Sequence, residues 1–114
     1  MFLFFLLAEG AFFYNVIDIN TLIGEAGDGR VTNFITEHWF DYFCGKVSFG
    51  DLRTMYPVKG TIAYSDMLLG YGLIHSIFRI LGFNVLLSYK FTLITIHFIG
   101  TFSMMILLHK VMKK

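Results

Sequence analysis

Cysteine and proline are nearly absent from this 114-residue chain, which contains one of each. A single cysteine excludes a disulfide scaffold within the chain. Charged residues make up only 15% of the positions, compared with about 25% in a typical soluble domain. The formal net charge of +1 lacks the basic excess that marks nucleic-acid-binding domains, so no nucleic-acid partner is expected.

What the chain has in excess is apolar and aromatic sequence. Hydrophobic residues make up 56% of it, and phenylalanine alone occupies 14 positions. The mean hydropathy is +0.67. This composition excludes disorder and is too apolar for an ordinary soluble domain. The length allows one domain at most. We therefore predict an all-α integral membrane protein, or part of one.

Two apolar segments are long enough to cross a bilayer, which requires about 20 residues. They cover residues 1–24 and 85–109. Glu9 and Asp18 interrupt the first segment, and ionisable groups at membrane depth usually face another helix. We therefore expect the first segment to pack against protein. A signal peptide is an alternative for this segment, although its basic leading region is missing.

The charges predict how the chain is oriented. No acidic residue follows Asp66, and the basic tail 110–114 comes directly after the second span. The positive-inside rule places this tail in the cytoplasm. With two spans, residues 25–84 then lie outside the cell. A third span at 67–82 would put the tail outside and break the rule.

Two further helices are predicted between the spans. Residues 31–44 carry apolar side chains at helical spacing, with a polar side that we expect to be solvated, and Gly45 ends the helix. This helix would lie at the membrane interface as part of the outer loop 25–66. The segment 67–82 is apolar but short, so we predict an interfacial or re-entrant helix, with a short spanning helix as the alternative. Ser65 and Asp66 are its candidate N-caps.

The 67–82 segment has one polar face. Its members recur at helical spacing: Gly72, His75, Ser76 and Arg79. His75, like His97 in the second span, is interpreted as a hydrogen-bonded packing residue. Cys44 has no basic neighbour in the sequence except Lys46, so its thiol is not expected to act as a nucleophile.

Two groups of residues in the outer loop could carry chemistry. Asp28 could act as a general base or a metal ligand, and Arg30 could hold a phosphate. The alternative is that Asp28 caps the following helix while Arg30 pairs with Glu25 or a lipid phosphate. Glu37, His38 and Asp41 form the second group, which suits acid–base or metal chemistry. A solvated helix face is the alternative for this group.

Taken in order, the motifs of the loop resemble the N-terminal region of bacterial multi-pass membrane glycosyltransferases of the GT-C class. The residues that carry the resemblance are Asp28-Gly29-Arg30, Glu37-His38, Tyr56-Pro57, Thr61-Ile62-Ala63-Tyr64-Ser65-Asp66, Leu68-Leu69-Gly70, Gly82-Phe83-Asn84 and Tyr89. It covers roughly residues 24–90. Each motif is short, and the specificity comes from their order and spacing.

The resemblance implies transfer of a sugar from a polyprenyl-phosphate donor at the outer face of the bacterial cytoplasmic membrane. In that class an acidic residue of the first outer loop serves as catalytic base or helps to bind a divalent metal, and Asp28 matches it. Glu37 and His38 match the acid–histidine pair that follows. Such enzymes have many more spans, so we expect this chain to be a fragment that is inactive alone.

Two other functions remain open from the sequence. A non-catalytic small membrane subunit could pair through Glu9 and Asp18 with a larger polytopic partner. A flippase or lipid-binding membrane protein could use a similar loop.

Overall fold

The computed structural model describes residues 2–16 and 27–112, and these residues form helices and connecting turns without any strand. The four α-helices are α1 (Phe2–Val16), α2 (Asp28–Phe43), α3 (Leu69–Ile80) and α4 (Val85–Met112). Two short 3₁₀ turns, Arg53–Met55 and Thr61–Tyr64, lie between α2 and α3. The all-α prediction is confirmed for this part of the chain.

One described helix is long and apolar enough to cross a membrane. This is α4, with 28 residues and a mean hydropathy of 2.0 in its most apolar part. Its length is about 42 Å at 1.5 Å per residue, more than the roughly 30 Å of a hydrocarbon core. The described part of the first predicted span, α1, has 15 residues and reaches only about 22 Å. The rest of that segment, including Asp18, lies outside the described residues, so a span at residues 1–24 stays a prediction.

Glycines and a capping asparagine set the helix ends. Gly45 follows α2 with a φ of 71°, and the Gly45 and Lys46 amides donate to the carbonyls of Tyr42 and Asp41. Gly82 ends α3 in the same way, with a φ of 93°. These bonds satisfy carbonyls that a helix end would otherwise leave unpaired. Asn84 caps α4 by accepting a hydrogen bond from the Leu87 amide at 2.8 Å.

Two predicted helix starts are wrong. We expected an α-helix from residue 31, but α2 already begins at Asp28, one turn earlier. Ser65 and Asp66 do not cap α3, which begins at Leu69 behind a left-handed Leu68. The chain instead turns there because the Trp39 indole donates to the Met67 carbonyl at 2.6 Å and fixes the approach to α3.

The helices pack in chain order from α2 onward. Helix α2 lies against α3, α3 lies against α4, and α1 contacts α4. A small apolar core consists of Ile35, Trp39, Leu52 and Ile62, with Leu68 packed against it. Trp39 is only 1% exposed and rests directly on Gly72 of α3. This contact sets how closely α2 and α3 approach.

Polar side chains line much of the interior, whereas large apolar side chains cover the outside. Among the described residues, the buried polar or charged ones are Glu9, Thr36, His38, Asp41, Thr61, His75, Ser76, Ser88, Lys90 and Thr92. The outward side of α3 presents Leu73, Ile77 and Ile80 to the surroundings. The predicted solvated face of α2 is therefore wrong, since Thr36 and Asp41 are buried while Val31 is exposed. On this side of α2, α3 packs its polar face against Glu37, and Lys46 and Arg53 contact Asp41.

Candidate functional site

Asp28 and Arg30 stand exposed in the first turn of α2. Gly27 occupies the N-cap position, and no side chain caps the helix, so the capping alternative for Asp28 is wrong. The Asp28 carbonyl, not its carboxylate, accepts a hydrogen bond from the Thr32 hydroxyl at 2.9 Å. Within the described residues, neither the Asp28 nor the Arg30 side chain has a hydrogen bond or ion pair. Glu25, a suggested partner of Arg30, lies outside the described residues.

Glu37 joins α2 to α3 through two partners. Its carboxylate accepts from Arg79 Nη2 at 3.0 Å and from Arg79 Nε at 3.1 and 3.2 Å, a two-pronged contact. His75 Nε2 lies 2.8 Å from the second carboxylate oxygen, and the His75 side chain is fully buried. Arg79 also lies over the Phe40 ring and donates to the Phe83 carbonyl. The predicted packing role of His75 thus includes a specific hydrogen-bond partner.

His38 faces the loop that follows α2. Its Nε2 lies 3.1 Å from the Phe49 carbonyl, and the side chain is buried. A carbonyl can only accept, so Nε2 must carry the proton and donate it. This tautomer leaves Nδ1 as an acceptor, and no partner for it is described. His38 therefore fixes the loop onto α2.

Asp41, one turn after Glu37, is held by two cations. Lys46 Nζ lies 3.3 Å from one carboxylate oxygen, and Arg53 Nη1 lies 3.0 Å from the other. Beside it is a cavity of ≈ 310 Å³, referred to below as the Asp41 cavity. Its lining consists of Phe34, Glu37, His38, Asp41, Val47, Leu52, Arg53 and Thr54.

The predicted catalytic residues do not form one cluster. Glu37 and His38 line the Asp41 cavity, as their spacing suggested. Asp28 lies nine residues before Glu37 on α2, a distance of about 14 Å along the helix axis. Sequence reasoning missed Arg53 and Arg79 as partners of Asp41 and Glu37. The sequence signal for Arg79 was its position as the basic residue on the polar face of α3. Across residues 2–16 and 27–112, no group of three or more His, Cys, Asp or Glu residues could hold a metal ion.

Asp51 closes a loop over residues 51–60, which contains the first 3₁₀ turn. The Ser48 hydroxyl donates to one of its carboxylate oxygens at 2.6 Å, and the Gly60 amide donates to the other at 2.7 Å. The Ser48 bond and then the Gly60 bond hold the pKa of the Asp51 carboxyl below its usual value of 3.8. The ionised carboxylate thus closes a loop beside the Asp41 cavity.

Acidification is expected to open this loop. Because the folded-state pKa of Asp51 is depressed, its stabilisation is present above pH 3.8 and is lost as the pH falls through the lower folded value. Hydrogen exchange at the Gly60 amide should accelerate beyond its normal pH dependence below that point. The Asp51→Asn variant should lack this extra step. A step centred at or above pH 3.8 in the unaltered chain would contradict the assignment.

A second polar contact joins α1 to α4. Glu9 is buried, lies 3.3 Å from His97 Nδ1 and accepts a hydrogen bond from the Thr101 hydroxyl. The Phe12 ring stacks on the His97 imidazole with ring centroids 3.9 Å apart. Glu9 therefore finds its partners within the chain, in agreement with the expectation that the first segment packs against protein.

Several residues of the glycosyltransferase-like motif act structurally. Thr61 accepts from the Leu52 amide at 2.9 Å, Gly82 ends α3, and Asn84 caps α4. Tyr89 is buried in the first half of α4. Asp28 is a motif residue for which the described structure shows no such side-chain role. Comparison with known families, curated proteins and solved structures finds no match to the chain.

Proposed function

We propose that the chain is the N-terminal part of a bacterial membrane glycosyltransferase that uses a polyprenyl-phosphate-linked sugar at the outer face of the membrane. The apolar exterior supports membrane insertion, since only 6% of the most apolar part of α4 is buried within the chain. Lipid, or the further spans of a larger protein, would cover that surface. The ionisable side chains of α1 and α4, and those of α2 and α3, contact each other, as is expected when the surroundings of the helices are apolar.

The observation that carries the proposal is the state of the Asp28 carboxylate. Glu37, Asp41 and Asp51 are each held by cations or hydrogen-bond donors, whereas Asp28 is exposed and has no side-chain partner among the described residues. A general base must reach its substrate, and a residue committed to a structural contact cannot do so. In the described part of the chain, no side-chain contact keeps the Asp28 carboxylate from reaching a substrate.

The chemistry then uses two side chains of one helix turn. Asp28 removes a proton from the acceptor hydroxyl, and the resulting oxygen forms a bond to the anomeric carbon of the sugar. The bond from that carbon to the polyprenyl phosphate breaks, and the phosphate leaves with the electron pair. Arg30 and the positive end of the α2 dipole stabilise the departing phosphate. In an in-line displacement the base and the leaving group lie on opposite sides of the carbon, so Asp28 and Arg30 need not touch.

Glu37 and His38 support this turn as positioning residues. Glu37 fixes α2 to α3 through Arg79, and His38 fixes the loop to α2. Both contacts lie about 14–15 Å from Asp28 along the helix, too far for direct contact with the same reacting atoms. A divalent metal at Asp28 would need further ligands from the remainder of the larger protein.

Replacing Asp28 with asparagine is expected to lower sugar transfer by about 10²–10⁴-fold, the usual contribution of a general base. The assay uses membranes that contain the complete assembly and radiolabelled hexoses on polyprenyl phosphate. Asp66→Asn is the matched control, because Asp66 is another exposed acid without a side-chain partner in the described part of the chain. Unchanged transfer in Asp28→Asn would exclude Asp28 as the base.

A further inference from the structure

The Asp41 cavity is a site that the proposed transfer reaction at Asp28 does not use. It opens between α2 and the segment after it, with a volume of ≈ 310 Å³. This size is at the lower end of the range of small-molecule sites, about 300–1,000 Å³. The cavity is therefore suited to a ligand of monosaccharide size rather than to a nucleotide or a lipid chain.

The charged side chains in the lining already have partners of opposite charge. Asp41 is paired with Lys46 and Arg53, and Glu37 is paired with Arg79. A charged ligand would compete with one of these pairs for its counter-charge, and breaking a pair is costly in a partly buried site. The occupant is therefore uncharged.

The hydrogen-bonding capacity that remains in the cavity lining suits a ligand with hydroxyl groups. Each Asp41 carboxylate oxygen has one cationic contact and keeps lone-pair capacity for another donor. Arg53 keeps donors beyond its Nη1 bond, and its side chain is 63% exposed. The Thr54 hydroxyl can both donate and accept. Such mixed capacity matches ligand hydroxyls, each of which also donates and accepts.

The rest of the lining is apolar. Phe34, Val47 and Leu52 supply most of this part, and Phe34 also borders a neighbouring cavity of ≈ 180 Å³. A pyranose ring combines a C–H face, which packs on apolar and aromatic side chains, with a rim of hydroxyls. We propose that the Asp41 cavity binds a neutral pyranose, with Asp41 and Arg53 on its hydroxyls and Phe34 against its C–H face. This proposal goes beyond the transfer reaction and does not depend on it.

Saturation-transfer NMR on the 114-residue chain in phosphatidylcholine nanodiscs tests this directly. The probes are the methyl glycosides of glucose, galactose and mannose, and nanodiscs avoid detergents with sugar heads. We expect transfer to the ring protons of at least one glycoside. Arg53→Met should reduce that signal at least fivefold, since methionine keeps the apolar stem but has no donors. Lys59→Met, which removes a cation outside this cavity, should leave it unchanged.

Three results would overturn the proposal. They are no transfer to any of the three glycosides, equal transfer in Arg53→Met, and equal transfer to cyclohexanol, which would show apolar contact alone. Fluorescence of Trp39 confirms that each variant is folded, because this buried residue is the only tryptophan. Asp28→Asn should bind the glycoside normally. A failed transfer assay and a failed binding assay therefore remain distinguishable.

Discussion

Replacing Gly72 with alanine is expected to separate α3 from α2 and to lower the free energy of unfolding by about 3 kcal/mol, the upper part of the range for overpacking. A β-carbon at residue 72 would lie 2.2 Å from Trp39 Cδ1 and 2.4 Å from Trp39 Cγ. The indole is held in place by its bond to the Met67 carbonyl and is 1% exposed, so it cannot move aside without loss of that bond. Thermal unfolding in lipid, followed by Trp39 fluorescence, measures the effect.

Gly70→Ala provides the matched control for this substitution. Gly70 lies two residues earlier in α3, and a β-carbon there would meet nothing within 4 Å. Alanine favours helix over glycine by up to about 1 kcal/mol, so the control should be as stable as the unaltered chain or slightly more stable. If Gly72→Ala unfolds at the same temperature as Gly70→Ala, the contact between Trp39 and Gly72 does not limit the helix approach.

Replacing Glu37 with glutamine is expected to lower the free energy of unfolding by about 2 kcal/mol. Removal of one partner of a fully buried ion pair costs roughly 3–5 kcal/mol, because the other charge is left uncompensated. The Glu37 and Arg79 side chains are 21% and 22% exposed, and solvent screening reduces that figure. The same unfolding assay measures the loss.

Two variants show whether this loss comes from the unpaired arginine. Asp66→Asn removes an acid without a side-chain partner in the described chain, and it should change stability by less than about 0.5 kcal/mol. The double variant with Glu37→Gln and Arg79→Gln should be more stable than the sum of the two single losses predicts, because no unpaired charge remains. Additive losses in the double variant would show that the two side chains are not coupled.

The helices could be predicted from the sequence, but the faces that they bury could not. Periodicity and terminal glycines are local signals, and they indicated α2, α3 and α4 with small errors at the ends. Hydrophobic periodicity identifies two faces without saying which one meets another helix. The pattern on α2 favoured a buried apolar side, yet Thr36 and Asp41 are also buried. On this polar side α3 presents His75 and Arg79 to Glu37, while Lys46 and Arg53 contact Asp41.

The candidate site was predictable where its residues are neighbours in sequence. Glu37, His38 and Asp41 were grouped from helical spacing, and they do line one cavity. Their partners come from far along the chain, with His75 and Arg79 38 and 42 residues after Glu37. Arg53 reaches Asp41 from a three-residue 3₁₀ turn, which is too short for a sequence pattern to indicate the direction of its side chain. Contacts of this kind depend on the tertiary path of the chain, which local patterns do not encode.

The contact between Glu9 and His97 also has a consequence for biosynthesis. Glu9 lies near the middle of α1, and its described partners follow 88 and 92 residues later in α4. At a translation rate of about 5–20 residues per second, α4 emerges on the order of ten seconds after α1. During that interval Glu9 lacks the partners that it has in α4, and an unpartnered ionisable side chain is costly for a helix in lipid. In the membrane protein proposed above, α1 would therefore need a temporary polar partner for Glu9 until α4 arrives.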